Sequence, residues 1–257
     1  MKVYTSITIL LLGLCLVVFG GGKLGSSQAE KPASDKTTEE VVPVGPQPKI
    51  VLPEQSFDFG FSPEGFFLVH PFIIRNEGEA DLIIERVRTT CGCTSAPLKK
   101  TELVPDEETE VSVIFNSTRY KSRTSKGTII SSNDLLNRSV RVTFAANMDT
   151  TGLPFDIEPF GLQIAQGDKP PKKMEFEVKN NSEINYELEL IDYTADVIQK
   201  PKIDRKELKA GKKTTVEVSL NDDYDYAANY IKASFTVKAS GENPVIFTIP
   251  IKGAGPK

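Results

Sequence analysis

The sequence predicts an all-β protein, built as two tandem β-sandwiches behind an N-terminal export segment. Three observations carry this: apolar residues alternate with a period of two in short runs, turn residues separate the runs, and the second half repeats the first. The chain has 257 residues, of which 26% are charged, with a formal net charge of -4. That length accommodates two ordinary domains, each able to bury its own core. The charge balance supplies neither the basic field that nucleic acid requires nor the hydrophobicity of a multi-span membrane protein. We therefore expect a mildly acidic, soluble protein with no nucleic-acid partner.

Residues 1–29 read as a secretory signal peptide. Lys2 precedes an apolar run from Ile7 to Phe19, and Ser27 and Ala29 satisfy the small-x-small rule for cleavage after Ala29. The rival is an uncleaved segment, the one route to a membrane in this reading, although the run is short for a full span. Cys15 lies inside the run behind the bulky Leu14, which argues against lipidation there. Cleavage removes Cys15 and leaves Cys91 and Cys93, carried to the periplasm or cell surface, where thiols oxidise. Residues 30–49 are rich in Pro, Lys, Glu, Ser and Thr without periodicity and read as a flexible tether.

From Ile50 the alternation begins. Leu68, His70, Phe72 and Ile74 share one face of a strand, and Arg75-Asn76-Glu77-Gly78 supplies turn chemistry. Leu82 and Ile84 follow, then Val111, Val113 and Phe115, then Ile129, then Val140, Val142 and Phe144. Strands of this length suit a sandwich over residues 50–150. A second spans 151–257, because "FIIRNEGEADLII" from Phe72 recurs as "FEVKNNSEINYEL" from Phe176, and "LVPDEETEVSVIFN" from Leu103 as "LKAGKKTTVEVSLN" from Leu208. Asp149 to Pro159, with Gly152, Pro154 and Pro159, reads as the joint. The repeat breaks in one informative way: the positions of His70, Cys91 and Cys93 are taken in the second half by Met174, Ala195 and Val197.

The run "FDFGFSPEGFFLVHPFIIRNEGEADLIIERVRTTCGCTSAP" from Phe57, with the following "LVPDEETEVSVIF", resembles a bacterial family of domains of unknown function. Its marks are an aromatic-x-Phe-Gly start, a His-x-Phe strand, an Asn-x-Gly turn and a Cys-Gly-Cys-Thr motif, and the resemblance covers about residues 50–148. It implies an immunoglobulin-like sandwich similar to the modules of the ASPM, SPD-2 and hydin type, and it assigns no activity. Pro105-Asp106 departs from the usual Pro-Gly, which leaves the type of that turn open.

Cys91 and Cys93 admit three readings. In an extended strand their Cα atoms stand about 6.5 Å apart, at the outer edge of disulfide geometry, and Gly92 lets the chain fold them closer. A bridge across one residue closes a small, strained ring of the readily reduced kind, so thiol redox exchange is one reading. With His70, the single histidine, the two thiolates make a soft set suited to Cu(I), or with a fourth ligand to Zn(II). The third reading is structural: a packed bridge near a strand end, with His70 a partly buried residue bonded to a backbone carbonyl. No cofactor is assigned on these grounds.

Elsewhere, "NDDYDY" from Asn221 lacks the glycine and distal glutamate of a hand-type calcium loop and reads as a solvated turn. "RYKSRTSK" from Arg119 sets four cations around one tyrosine, which suits either contact with an envelope glycan or an exposed strand connection. No positioned general base stands out, so the expectation is a non-enzymatic, exported binding or scaffold protein with a protein or glycan partner.

Overall fold

A computed structural model describes residues 45–253, so the expected signal peptide and most of the tether lie outside the described residues. Among the described residues there is no helix. The first half forms β1 (Ile50–Val51), β2 (Ser56–Phe61), β3 (Phe67–Asn76), β4 (Leu82–Thr89), β5 (Thr94–Ser95), β6 (Glu102–Leu103), β7 (Glu108–Asn116), β8 (Arg123–Ser132) and β9 (Ser139–Asn147). The second forms β10 (Phe155–Glu158), β11 (Leu162–Ile164), β12 (Met174–Asn180), β13 (Tyr186–Tyr193), β14 (Lys202–Ile203), β15 (Glu207–Leu208), β16 (Lys213–Val218), β17 (Lys232–Ser240) and β18 (Val245–Gly253). Part of the expected joint is thus a strand: β10 pairs with β12.

The two halves share one pairing scheme. One sheet runs β1-β3-β7-β5 and its counterpart β10-β12-β16-β14. The facing strands run β2-β9-β8-β4-β6 in the first half, and β18-β17-β13-β15 with β11 beside β18 in the second. In each, the opening strand of the facing sheet runs parallel to the closing one, β2 beside β9 and β11 beside β18. Both halves are immunoglobulin-like sandwiches. Period-two alternation builds each core: along β7, Val111, Val113 and Phe115 are fully buried between half-exposed neighbours. Each such side chain contributes roughly 1.5–3 kcal/mol through burial. One core gathers residues from Ile50 to Met148, the other from Phe155 to Ile251.

A buried asparagine locks the same turn in each half. The Asn76 amide donates to the carbonyls of Ala80 and Leu103 at 2.8 and 2.9 Å, and its Oδ1 accepts from Gly78 N at 3.0 Å. Asn180 donates to Ile184 and Leu208 at 2.7 and 3.2 Å and accepts from Ser182 N at 3.0 Å. The backbone carbonyl of Asn76 accepts from Asp106 N at 2.9 Å, and that of Asn180 from Gly211 N at 3.0 Å. Gly211 sits at φ 68° and Asp106 at φ 63°. The Pro-Asp departure therefore leaves the turn intact, since Asp is among the residues that tolerate the left-handed region.

The two sandwiches are not beads on a string. Phe61 of β2 lies beside Phe247 of β18, which joins the two facing sheets into one. The approach is close: Gly60, at φ 64°, leaves no room for a Cβ, which would stand 1.9 Å from the Ile246 carbonyl oxygen. Thr248 donates its hydroxyl to the Phe59 carbonyl at 2.6 Å. Beside it, the Ser234 hydroxyl accepts from Val69 N at 2.9 Å and donates to Val69 O at 3.3 Å, capping the β3 edge from the second sandwich. Each of these bonds is buried, where an unmade partner costs most.

Candidate functional site

The cysteine pair lies in a turn between β4 and β5 rather than in an extended strand, and the turn brings the two Cα atoms to 5.3 Å with the sulfurs bridged. Each threonine around it has a task. Thr89 donates its hydroxyl to the Cys91 carbonyl at 3.0 Å, and the Thr90 hydroxyl accepts from Gly127 N at 3.1 Å, tying the turn to β8. The Thr94 hydroxyl stands 3.4 Å from Cys91 Sγ and 3.8 Å from Cys93 Sγ. Asn116 N donates to the Cys93 carbonyl at 2.9 Å.

Tyr120 completes the turn's surroundings by donating its phenol to Cys93 Sγ at 3.2 Å. Its ring packs edge-on against Phe115, and the Lys126 ammonium stands 5.2 Å from the ring centroid. The fully buried Ser117 holds this segment: its hydroxyl accepts from Phe66 N at 3.0 Å and donates to Pro63 O at 3.1 Å. Next to the bridge is an open cleft of about 530 Å³, lined by Gly92, Cys93, Asn116, Thr118, Arg119 and Tyr120. The basic run thus divides: Arg119 and Tyr120 border the cleft, while Arg123, paired with Asp58 at 2.8 Å, opens β8 inside the sheet. Sequence reasoning singled out that tyrosine only for the charges around it, because 27 residues separate it from Cys93.

His70 is elsewhere. Cys93 lies across β7 from Asn116, and His70 lies on β3 beyond β7 and three residues further along, about 14 Å away by strand spacing and rise. The expected set of His70, Cys91 and Cys93 is therefore not assembled, and among the described residues no three His, Cys, Asp or Glu are placed to hold a metal ion. His70 is buried and stacked on Phe57, with ring centroids 3.7 Å apart. Its Nδ1 bonds Asp192 of the second sandwich at 2.9 Å and its Nε2 bonds Glu54 at 3.2 Å, so its partners are carboxylates rather than a backbone carbonyl. A bulge between Leu190 and Asp192 aims that aspartate, breaking the inward series of Tyr186 and Leu188. His70 joins the sandwiches.

Between the sandwiches runs a groove of about 290 Å³, with Val69, Leu98 and Ile114 on one side and Val197 and Lys232 on the other. Lys99 spans it, pairing with Asp196 of the second sandwich at 2.7 Å and Glu110 of the first at 3.0 Å. The bond to Asp196, opposed by partial burial and reinforced by Glu110, raises the Lys99 ammonium above the ordinary lysine range. The Lys232 ammonium stands 5.0 Å from the Phe67 ring centroid and 6.0 Å from that of Tyr230. The run "NDDYDY" is a turn whose Asp225 carboxylate accepts from Ala227 N and Ala228 N, both at 3.0 Å.

Residues 50–148 match the model of a family described as a protein of unknown function, DUF1573. The match coincides with the first sandwich. The residues matched by the DUF1573 model include Gly60, His70, Asn76 and the cysteine turn, which are the marks the sequence displayed. No curated protein matches the chain. Among solved structures, a protein of unknown function from Porphyromonas gingivalis W83 is similar at 16% identity, covering 79% of this chain and 98% of that one, with a TM-score of 0.33. The ASH/PapD-like domain 7 of human CEP192 is similar at 12% identity over 46% of this chain and 96% of its own, with a TM-score of 0.34. The YadV chaperone shares 10% identity over 78% of this chain and 98% of its own, with a TM-score of 0.32.

Proposed function

We propose that the chain is an exported cell-envelope protein that binds a partner polypeptide in the groove between its two sandwiches, and that the groove acts by binding rather than by catalysis. The observation that carries this reading is the make-up of the groove: apolar walls from both sandwiches, Val69, Leu98 and Ile114 facing Val197, with the Lys232 ammonium at the side. Such a lining suits an apolar side chain with a carboxylate near it. Rigidity supports the same reading. The shared sheet, the buried bonds of Ser234 and Thr248 and the His70 bond to Asp192 hold the walls at a set distance, so little freedom is lost on binding.

A photo-crosslinking residue at Leu98, expressed in the exporting cell, tests this. The expected result is one discrete adduct that protease digests, lost in an Ile114→Glu background, since Ile114 lines the groove from the half-exposed face of β7 and its replacement leaves the core intact. An adduct that resists protease and yields to a glycan hydrolase would assign the groove to an envelope glycan and overturn the polypeptide reading.

A further inference from the structure

We propose that the Cys91–Cys93 bridge is a thiol–disulfide exchange site, in which Cys91 is the sulfur attacked by a partner dithiol and Cys93 is the sulfur that leaves. The inference stands apart from the groove, since it rests on different residues.

Four observations carry it. First, a bridge that closes a loop over one intervening residue removes little chain entropy, about 1.6 kcal/mol by the loop-closure relation, so folding does not depend on it. Second, the two sulfurs are unequal. Cys93 packs against the first core and receives the Tyr120 hydroxyl at 3.2 Å, whereas Cys91 is outside that core cluster. Third, the turn borders open space: the cleft is lined by Gly92 and Cys93, nothing lies within 4 Å of where a side chain on Gly92 would begin, and Cys91 is itself only half-buried. Fourth, the donor is held in place. Ser117 pins the turn that carries Tyr120, and Phe115 packs against its ring.

The chemistry follows from these positions. A partner thiolate attacks Cys91 Sγ, forming a new sulfur–sulfur bond, and the Cys91–Cys93 bond breaks with its electron pair remaining on Cys93 Sγ. A thiolate is a far stronger acceptor than a disulfide sulfur, so the Tyr120 hydrogen bond strengthens as charge develops there. Arg119 and Lys126 add positive charge on the same side, which further favours the thiolate. The partner's second thiol gives up its proton to the Cys93 thiolate and attacks its own sulfur in the mixed disulfide, and Cys91 is released as a thiolate that takes a proton from water. Two electrons move from the partner dithiol to the bridge, leaving a partner disulfide and two Cys thiols. The substrate class is thus a dithiol, such as a protein with paired cysteines. Tyr120 acts as a stabilising donor to the leaving sulfur.

The test uses the full exported chain with its bridge intact, and dithiothreitol and glutathione as probes. Tyr120→Phe keeps the ring packing and removes only the hydroxyl. It is expected to slow reduction of the bridge by dithiothreitol about tenfold while the melting temperature moves by less than about 2 °C. Brief reaction with glutathione, alkylation and peptide mass mapping should place the mixed disulfide on Cys91. A mixed disulfide on Cys93, a Tyr120→Phe rate within twofold of the parent, or a bridge that dithiothreitol reduces only after the protein unfolds would each overturn the proposal.

Discussion

Gly60→Ala is expected to destabilise the protein by about 4 kcal/mol or more, lowering its melting temperature by about 8–16 °C. Two effects add. At φ 64° any Cβ is in the left-handed region, which costs about 1–2 kcal/mol. The larger effect is the overlap: the new Cβ would lie 1.9 Å from the Ile246 carbonyl oxygen and 2.3 Å from its carbon. Backbone atoms have no alternative rotamer, so the strain is relieved only by parting β2 from β18, at the point where the two sandwiches share a sheet. The Thr248 hydroxyl then loses the Phe59 carbonyl. Gly65→Ala separates the two effects. Gly65 has φ 87° but nothing within 4 Å of a new Cβ, so this variant should lose only the conformational part. Equal melting temperatures for the two variants would show that the close approach is absent in solution.

Asn76→Ala is expected to cost about 3 kcal/mol, and Asn180→Ala about as much. Each side chain is fully buried, and its loss strands a buried carbonyl, that of Leu103 in one case and of Leu208 in the other, and releases the turn at Ala80 or Ile184. An unsatisfied buried group costs about 1–3 kcal/mol. Because the two asparagines serve separate cores, the double variant should lose the sum of the two within about 0.5 kcal/mol. Urea unfolding of the single and double variants measures this, and a loss below about 1 kcal/mol for either single variant would contradict the role assigned to the amide.

These residues also show what the sequence made legible. Alternation in segments such as Val111, Val113 and Phe115 is a local signal, because burial on one face of a strand dictates every second residue. The spacing of the repeat carried more: it placed Asn76 over Asn180 and Asp106 over Gly211, which occupy matching turns. The cysteine pair stood out by rarity alone. What stayed hidden depends on pairs distant in the chain. Asp192 meets His70 across 122 residues, aimed by a bulge that no periodicity announces. Tyr120 reaches Cys93 because Ser117 fastens its turn to Pro63 and Phe66, and the two sheets are joined through one registered pair, Phe61 and Phe247, beside the Thr248 bond to Phe59. The His-Cys-Cys set failed for a related reason: sharing a domain does not place residues together when two strand spacings lie between them.

The groove exists only while the two sandwiches remain one body, so calorimetry of residues 45–253 is the most direct measurement. A single unfolding transition, with calorimetric and van't Hoff enthalpies equal, is the predicted result. Two separate transitions, each with the enthalpy of one sandwich, would contradict it.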